Sequence, residues 1–389
     1  MSSLNKLQAK PKPKYEPCPL HFKVPHGIFI HEATSVAVDS KDNLYCFNRG
    51  NMPVLVFNPK GDLIRHWGNP TPYAGTKSYI DPYGNKVARW RGTEFARPHA
   101  IEIDHEDNVW LVDDLANVIT KCTVFGERKM LLCPEGKVVT KIAEMKEIIG
   151  SIHEAPPKQS GRMFNRPTDI CVHRVSGDLF ISDGYGNSCV HRLNSRGEHI
   201  KSWGKSGTDP GLFNLPHSIT IVYANSNVDS NFSCKIDRVL IADRENQRVQ
   251  IFDLNGQYLQ SWHAHRAVAV EVGWINSLPW VYIAEQGTTS AVQRGNGMYE
   301  LQTWTKNIGH RVGIYHSNNN GILQSKIGSA TPGEEPSQFN WLHSIAIDSK
   351  GDFYAAEVSF CECGQHQDPH AREMVSLRKW KLIKPWPYI

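Results

Sequence analysis

Short apolar runs, some alternating with polar residues and some continuous, recur along this chain between clusters of Gly, Asn, Asp and Pro, and they recur as a unit. The unit is clearest in FNRPTDICVHRVSGDLFISDGYGNSCVHRLNSRGEHIKSWG at 164–204. Alternation in TDICVH, a Ser-Gly-Asp turn, the run LFISD, a Gly/Asn turn, CVHRL, another Gly turn and HIKSWG predict four short strands joined by tight turns. This is a four-stranded meander.

The pattern returns from Thr34 to Gly68 and from Phe95 to Cys122, then as FNLPHSITIV with VLIADRENQRVQIFDLNGQYLQSW, and again as FNWLHSIAIDSKGDFYAAEVS. HRAVAVEVGWINSLPWVYIAE is a weaker copy between the last two. Six copies of about forty residues predict an all-β, six-bladed β-propeller, because radial repetition leaves only short, protected sheet edges. Residues 1–25 read as an extended N-terminal lead-in and 26–389 as a single propeller with insertions at 69–94 and 360–372. The one helix expected lies in EMKEIIGSIHEAP, where Met145, Ile148, Ile149 and Ile152 fall at helical spacing.

Aligned on the residue that ends the first strand, Asp39, Asp104, His173 and Asp348 are equivalent, and five positions earlier stand Thr34, His99, Thr168 and His343. His217 takes that place in the fourth copy, and in the fifth the position falls near Arg266. Histidine thus fills one register in units two, four and six. First strands line the axis of a propeller, so the three imidazoles would converge from directions roughly 120° apart. Three neutral imidazoles with a fourth position open suit a catalytic zinc ion, which lowers the pKa of what binds there. A single such His after Pro would read as a structural hydrogen bonder; three in alternate blades do not.

Composition narrows compartment and partners. The 389 residues are 40% hydrophobic and 21% charged, enough for a full core. A formal charge of +4 gives no electrostatic ground for a nucleic-acid partner, and no apolar run is long enough to span a membrane. The opening MSSLNKLQAKPKPKYEPCPL puts Lys and Pro where a secretory leader needs apolar residues, and nine Cys are too sparse for a disulfide scaffold, so a cytoplasmic protein with reduced thiols is expected. Cys46, Cys171 and Cys189 fall on apolar strand positions and read as small core residues. Cys361, Cys363, His366 and His370 have spacing that could close a second, structural zinc site; the preferred reading is a reduced, solvated insertion.

The stretches PTDICV with SDGYGNS, LPHSITIV and ADRENQRVQIF resemble the NHL-repeat propellers, and among them the peptidyl-α-hydroxyglycine α-amidating lyases, over most of residues 30–360. The resemblance implies a zinc ion held by His99, His217 and His343, the trio the register had singled out. It also implies a catalytic tyrosine at Tyr185 in SDGY and two active-site arginines, Arg49 in FNRG and Arg244 in ADREN. The implied reaction cleaves an N-substituted α-hydroxyglycine, a carbinolamide, to an amide or amine and glyoxylate. Such a cleavage needs a base for the hydroxyl proton, a clamp for the carboxylate and a Lewis acid for the carbinol oxygen. Tyr185 would accept the proton, its phenolate favoured by the metal and by Arg49 and Arg244, and one arginine would clamp the carboxylate.

The chain also departs from that family. Asn165 with Gly186 and Ile241 with Ile251 stand where the family forms its two disulfides. Trp341 replaces a Met two residues before the third zinc ligand and, with Thr168, is assigned to the substrate pocket. Ser344 replaces an Asp that contributes to a structural calcium, so calcium is not carried over. These changes favour a small N-substituted hydroxyglycine or another carbinol adduct over a peptide. Two alternatives remain open, a metal-dependent hydrolase or lactonase using metal-bound water, and a non-catalytic NHL binding module. Lactonase propellers commonly use carboxylate and Asn ligands, and a binding module has no need of three channel histidines beside Tyr185.

Overall fold

The computed structural model describes residues 12–68, 79–80, 86–87, 94–149, 151–224, 235–275, 277–287, 310–317, 321–329, 331–364 and 374–383. Six antiparallel sheets stand around an axis, five of them laid down by consecutive strands of one sequence unit. Their innermost strands are Ala33–Val38, Pro98–Ile103, Asp169–Val172, Pro216–Val222, Ala267–Ile275 and Leu342–Ile347, and they define blades I to VI. Each innermost strand packs against those of its two neighbours, and blade VI meets blade I, so the ring closes as the repeat predicts.

The core is divided among the seams between blades. Trp110, Val112 and Ile119 of blade II pack against Ile170, Leu179 and Ile181 of blade III. Leu240 and Val249 of blade IV meet Val281 and Ile283 of blade V in the same way, and the remaining four seams each hold a comparable cluster. No blade could bury its two faces alone, which is why the units must stack.

Blade VI takes its outermost strand from the other end of the chain. Tyr15–Pro17, inside the segment read as a lead-in, pairs antiparallel with Leu377–Leu382, placing Tyr15 opposite Leu382. The Tyr15 hydroxyl lies 2.6 Å from that of Tyr282 and donates to the Gly351 carbonyl at 2.9 Å. Blade II carries a fifth strand, Val138–Val139. The expected helix is shorter and earlier than its spacing suggests, running over Ile142–Ile148. Met145 is buried among Leu131, Cys133 and Val139, Ile149 is already extended, and Ile152 is exposed. One turn of the stripe is all that the underlying sheet can cover. Most of both insertions lies outside the described residues. Among the described residues, no helix is long and apolar enough to cross a membrane.

Candidate metal centre

Pairing between first and second strands slips at the same place in five blades: between Ala33 and Ser35, Pro98 and Ala100, Pro216 and Ser218, Ala267 and Ala269, and Leu342 and Ser344. The residues in those gaps are Thr34, His99, His217, Val268 and His343. A β-bulge re-aims the side chain it leaves unpaired. Thr168 has the equivalent place in blade III, immediately before its first strand. The fifth-blade member of the register is therefore Val268, and Arg266 lies two residues earlier. The weak fifth copy has at that place neither the His of units two, four and six nor the Thr of units one and three, so nothing anchors its alignment.

His99, His217 and His343 are buried, with ring centroids 4.8 to 5.1 Å apart, and one ring nitrogen from each lies within 4.8 Å of the others. Each Nδ1 faces a main-chain carbonyl: that of Thr168 for His99 at 2.6 Å, Val268 for His217 at 2.7 Å and Thr34 for His343 at 2.6 Å. A carbonyl only accepts, so Nδ1 carries the hydrogen and Nε2 keeps its lone pair. These carbonyls belong to the register residues of blades III, V and I. Every histidine is thus supplied by one blade and oriented by the next. Burial, then neighbouring imidazoles and arginines, holds His99 and His217 well below the ordinary imidazole range. Burial and Arg49 bring His343 down to about 3. Three neutral imidazoles with fixed tautomers and convergent nitrogens are a donor set that fits a zinc-type ion.

Tyr185 reaches the same point, its hydroxyl 3.0 Å from His99 Nε2 and 3.1 Å from His217 Nε2. Two arginines that the sequence reading did not single out stand over its ring, with Cζ of Arg166 4.6 Å and Cζ of Arg97 5.9 Å from the centroid. Both bind Asp114, Arg97 donating from Nε to Oδ1 at 2.6 Å and Arg166 from Nη2 to Oδ2 at 3.0 Å. Burial opposes the charge on Asp114, yet the two guanidinium groups hold its carboxyl far below the carboxylate range. Their signal was present in the repeat: Arg97 in FARPH and Arg166 in FNRPT both stand two places before the register residue.

Arg49 and Arg244 act on the imidazoles, Arg49 depressing His343 and His99 and Arg244 depressing His343 and His217. Arg49 Nη1 pairs with Glu32 at 2.9 Å and its Nε donates to the Pro98 carbonyl at 3.3 Å. Arg244 Nε pairs with Glu245 at 2.8 Å, and Glu245 also takes Arg266 at 2.9 Å. The Thr168 side chain is fully buried against Ser182 and the Pro216 carbonyl, and its own carbonyl orients His99. Trp341 is buried with its ring 5.0 Å from that of His310. The Ser344 hydroxyl lies 3.1 Å from that of Ser35 and accepts from Val36 N at 3.3 Å, tying blade VI to blade I. Past this layer the channel continues as a cavity of about 170 Å³ lined in part by Glu102, Asp169 and Glu271.

The second metal-site candidate is only partly within the described residues, because His366 and His370 lie outside them. Cys361 packs against the Glu32–Arg49 pair, its N–H donating to Glu32 Oε1, and Cys363 is half-buried. Asp183, Cys189 and His191 form another compact group. Asp183 already accepts from Asn165 N and Asn187 Nδ2, and His191 Nδ1 is 2.7 Å from the Ser202 hydroxyl. In blade IV the same clasp is made by Asp243 with Arg248 and Gln250. Cys46, Cys171 and Cys189 are buried as expected. Of the positions equated with the family's disulfides, Asn165 and Gly186 do adjoin, since a Cβ on Gly186 would fall 2.0 Å from Asn165 Oδ1. Ile241 and Ile251 do not: Ile241 is opposite Gln250 and Ile251 opposite Leu240, one register step apart on opposite faces of the sheet.

Comparison with known proteins agrees with this architecture. The NHL repeat family model matches residues 164–193. The chain is 28% identical over 350 residues to peptidyl-alpha-hydroxyglycine alpha-amidating lyase 1 of Drosophila melanogaster, covering 86% of this chain and 56% of that protein. It is 27% identical over 270 residues to peptidylglycine alpha-amidating monooxygenase of Rattus norvegicus, covering 67% of this chain and 25% of that protein. The chain thus spans about a quarter of the rat protein and about half of the fly lyase. Among solved structures, virginiamycin B lyase from Staphylococcus aureus shares the fold, with a TM-score of 0.50 and 14% identity over 95% of this chain and 100% of that one.

Proposed function

We propose that this NHL-repeat propeller, which resembles the amidating lyases, is a zinc-dependent carbon–nitrogen lyase that cleaves an N-acyl-α-hydroxyglycine, R–CO–NH–CH(OH)–COO⁻, to the amide R–CO–NH₂ and glyoxylate. One observation carries this reading: three neutral imidazoles have their Nε2 lone pairs freed by carbonyl contacts, and the Tyr185 hydroxyl lies within 3.1 Å of two of them. Zinc held by His99, His217 and His343 would supply the Lewis acidity that eases loss of the substrate's hydroxyl proton. Tyr185 takes that proton and returns it to the amide nitrogen. The O–H electron pair becomes the second C–O bond of glyoxylate, and the C–N pair leaves with nitrogen, so the reaction is redox-neutral. Arg49 and Arg244, each beside a carboxylate partner, are the cations that act on His343, and one of them would clamp the substrate carboxylate on that side.

Trp341, buried beside His310, is bulkier than the Met that the resemblance places there, which supports a small acyl group over a peptide. Among the described residues no two cysteines are joined in a disulfide, which supports a reducing, cytoplasmic setting. The test is release of glyoxylate from a simple acyl-α-hydroxyglycine by zinc-loaded protein, with chelator-stripped and zinc-restored protein alongside. Activity that survives stripping, or its absence from the loaded protein, would overturn the reading.

A further inference from the structure

Two rings of equivalent residues build the channel mouth. One stands two places before the register: Glu32, Arg97, Arg166, Leu215, Arg266 and Trp341. The other follows the end of each second strand: Arg49, Asp114, Gly184, Arg244, Gln286 and Val358. Main-chain bonds join them, from Arg49 to Glu32 at 2.9 Å, Arg244 to Leu215 at 3.2 Å, Gln286 to Arg266 at 3.2 Å and Val358 to Trp341 at 3.0 Å. From blade I round to Arg266 of blade V the charges of these rings meet partners: Glu32 with Arg49, Asp114 with Arg97 and Arg166, Glu245 with Arg244 and Arg266.

Past Arg266, the sector formed by Gln286 of blade V and by blade VI is different. Gln286 has the place that Arg49 and Arg244 hold in blades I and IV, and Trp341 completes the other ring. Gln286 and His310 are each 1% exposed, yet Gln286 Oε1 and His310 Nε2 have no hydrogen-bond partner. Gln286 Nε2 donates to the Leu342 carbonyl at 2.8 Å, next to His343, which fixes the carboxamide and leaves Oε1 as an unused acceptor. His310 Nδ1 accepts from Gly287 N at 3.1 Å, so the ring hydrogen is on Nε2, an unused donor. Burial pulls His310 down to about 3 and keeps this ring neutral. Leaving a buried donor and a buried acceptor unmet is costly unless a ligand meets them.

We infer that Gln286 and His310 form a neutral subsite for the amide group of the substrate, with Oε1 accepting the amide N–H, Nε2 donating to the acyl carbonyl, and the acyl chain lying against Trp341. The inference rests on the lyase reading for the identity of the substrate and adds which residues recognise its amide group.

The test compares binding of an N-acylglycine, which lacks the reactive hydroxyl, with the matching acyloxyacetate, in which an ester oxygen replaces N–H. Parent protein should bind the amide about ten- to a hundredfold more tightly. Gln286→Met should abolish that preference and raise KM about tenfold, with a smaller effect on kcat. His310→Phe should weaken amide and ester alike by about tenfold, because both carry the carbonyl. Zinc content should be unchanged in both. A parent protein that binds the two ligands equally overturns the inference without any variant. If glyoxylate is released but both variants match the parent in KM and preference, the subsite is wrong and the lyase reading stands. If no glyoxylate is released but the preference depends on Gln286, the subsite stands and the lyase reading fails.

Discussion

His343 donates its Nδ1 hydrogen to the carbonyl of Thr34 across 2.6 Å, at the seam where blade VI meets blade I. The two residues are register equivalents in neighbouring blades, and the same relation joins His99 to Thr168 and His217 to Val268. A main-chain carbonyl is available whatever the side chain, which explains why Thr and Val both serve. It also couples the three-histidine site to ring closure, because one imidazole is oriented only if the last blade docks on the first.

Purified protein should carry roughly one zinc per chain. Replacing any one of His99, His217 or His343 by Ala should leave less than about a tenth of the metal after dialysis against a mild chelator, since two imidazoles no longer make a tetrahedral site. The fold should survive, because its apolar burial lies in the seams between blades and not in the channel. Metal analysis by mass spectrometry decides it; a double variant that still binds a full equivalent would show that the ion sits elsewhere.

The repeat made the propeller and the three histidines legible together, because a residue type recurring in one register is a statement about direction in space once the register is a blade. Val268 escaped for the same reason: with neither His nor Thr at the register of the fifth copy, the alignment slid to Arg266. Arg97 and Arg166 were visible as a repeated Arg-Pro, but their role depends on Asp114, whose approach to both is tertiary. The pairing of Tyr15–Pro17 with Leu377–Leu382 joins the two ends of the chain, and no local pattern encodes such a partner. The two unmet polar atoms of Gln286 and His310 likewise become apparent only when burial and bonding are seen at once.

Tyr185→Phe should keep zinc and ligand affinity while lowering kcat roughly a hundredfold or more, the scale of losing a positioned general base. The ring keeps its place beneath Arg166 and Arg97, and only the hydroxyl between His99 and His217 is lost. Steady-state release of glyoxylate, with zinc content measured on the same samples, provides the comparison. Turnover equal to that of the parent would make Tyr185 a wall residue.

Thiol titration under denaturing, non-reducing conditions should return all nine cysteines of the sequence. In the native protein most should react slowly, because burial pushes the Cys122 thiol up to about 12, as it pushes the Cys46 and Cys171 thiols up as well. A denatured count of seven or fewer would mean that a disulfide forms and would contradict a reducing setting.

Further along the channel, Glu271 faces Asp169 and Glu102, and the carboxyls of Glu271 and Asp169 are pushed up to about 7, mainly by burial. A carboxyl whose folded pKa exceeds its unfolded value favours the folded state fully only below the unfolded value, here 4.5 for Glu271, and that advantage is gone once the pH has risen past about 7. Stability should therefore fall between those two values. Glu271→Gln keeps the Oε1 acceptor used by Val272 N at 2.7 Å and by the Thr220 hydroxyl at 3.3 Å while removing the charge. At pH 8 the variant should be more stable than the parent by on the order of 1–2 kcal/mol, less than the full shift because a carboxylate lining an open cavity is partly screened by solvent. Near pH 4 the two should coincide. Urea denaturation across this range, in chelator and without added divalent ions, measures the difference. A variant less stable than the parent at pH 8 in chelator would show that the charge is compensated within the channel. If that loss appears only when calcium is added, the carboxylates hold a cation there despite the Ser at position 344.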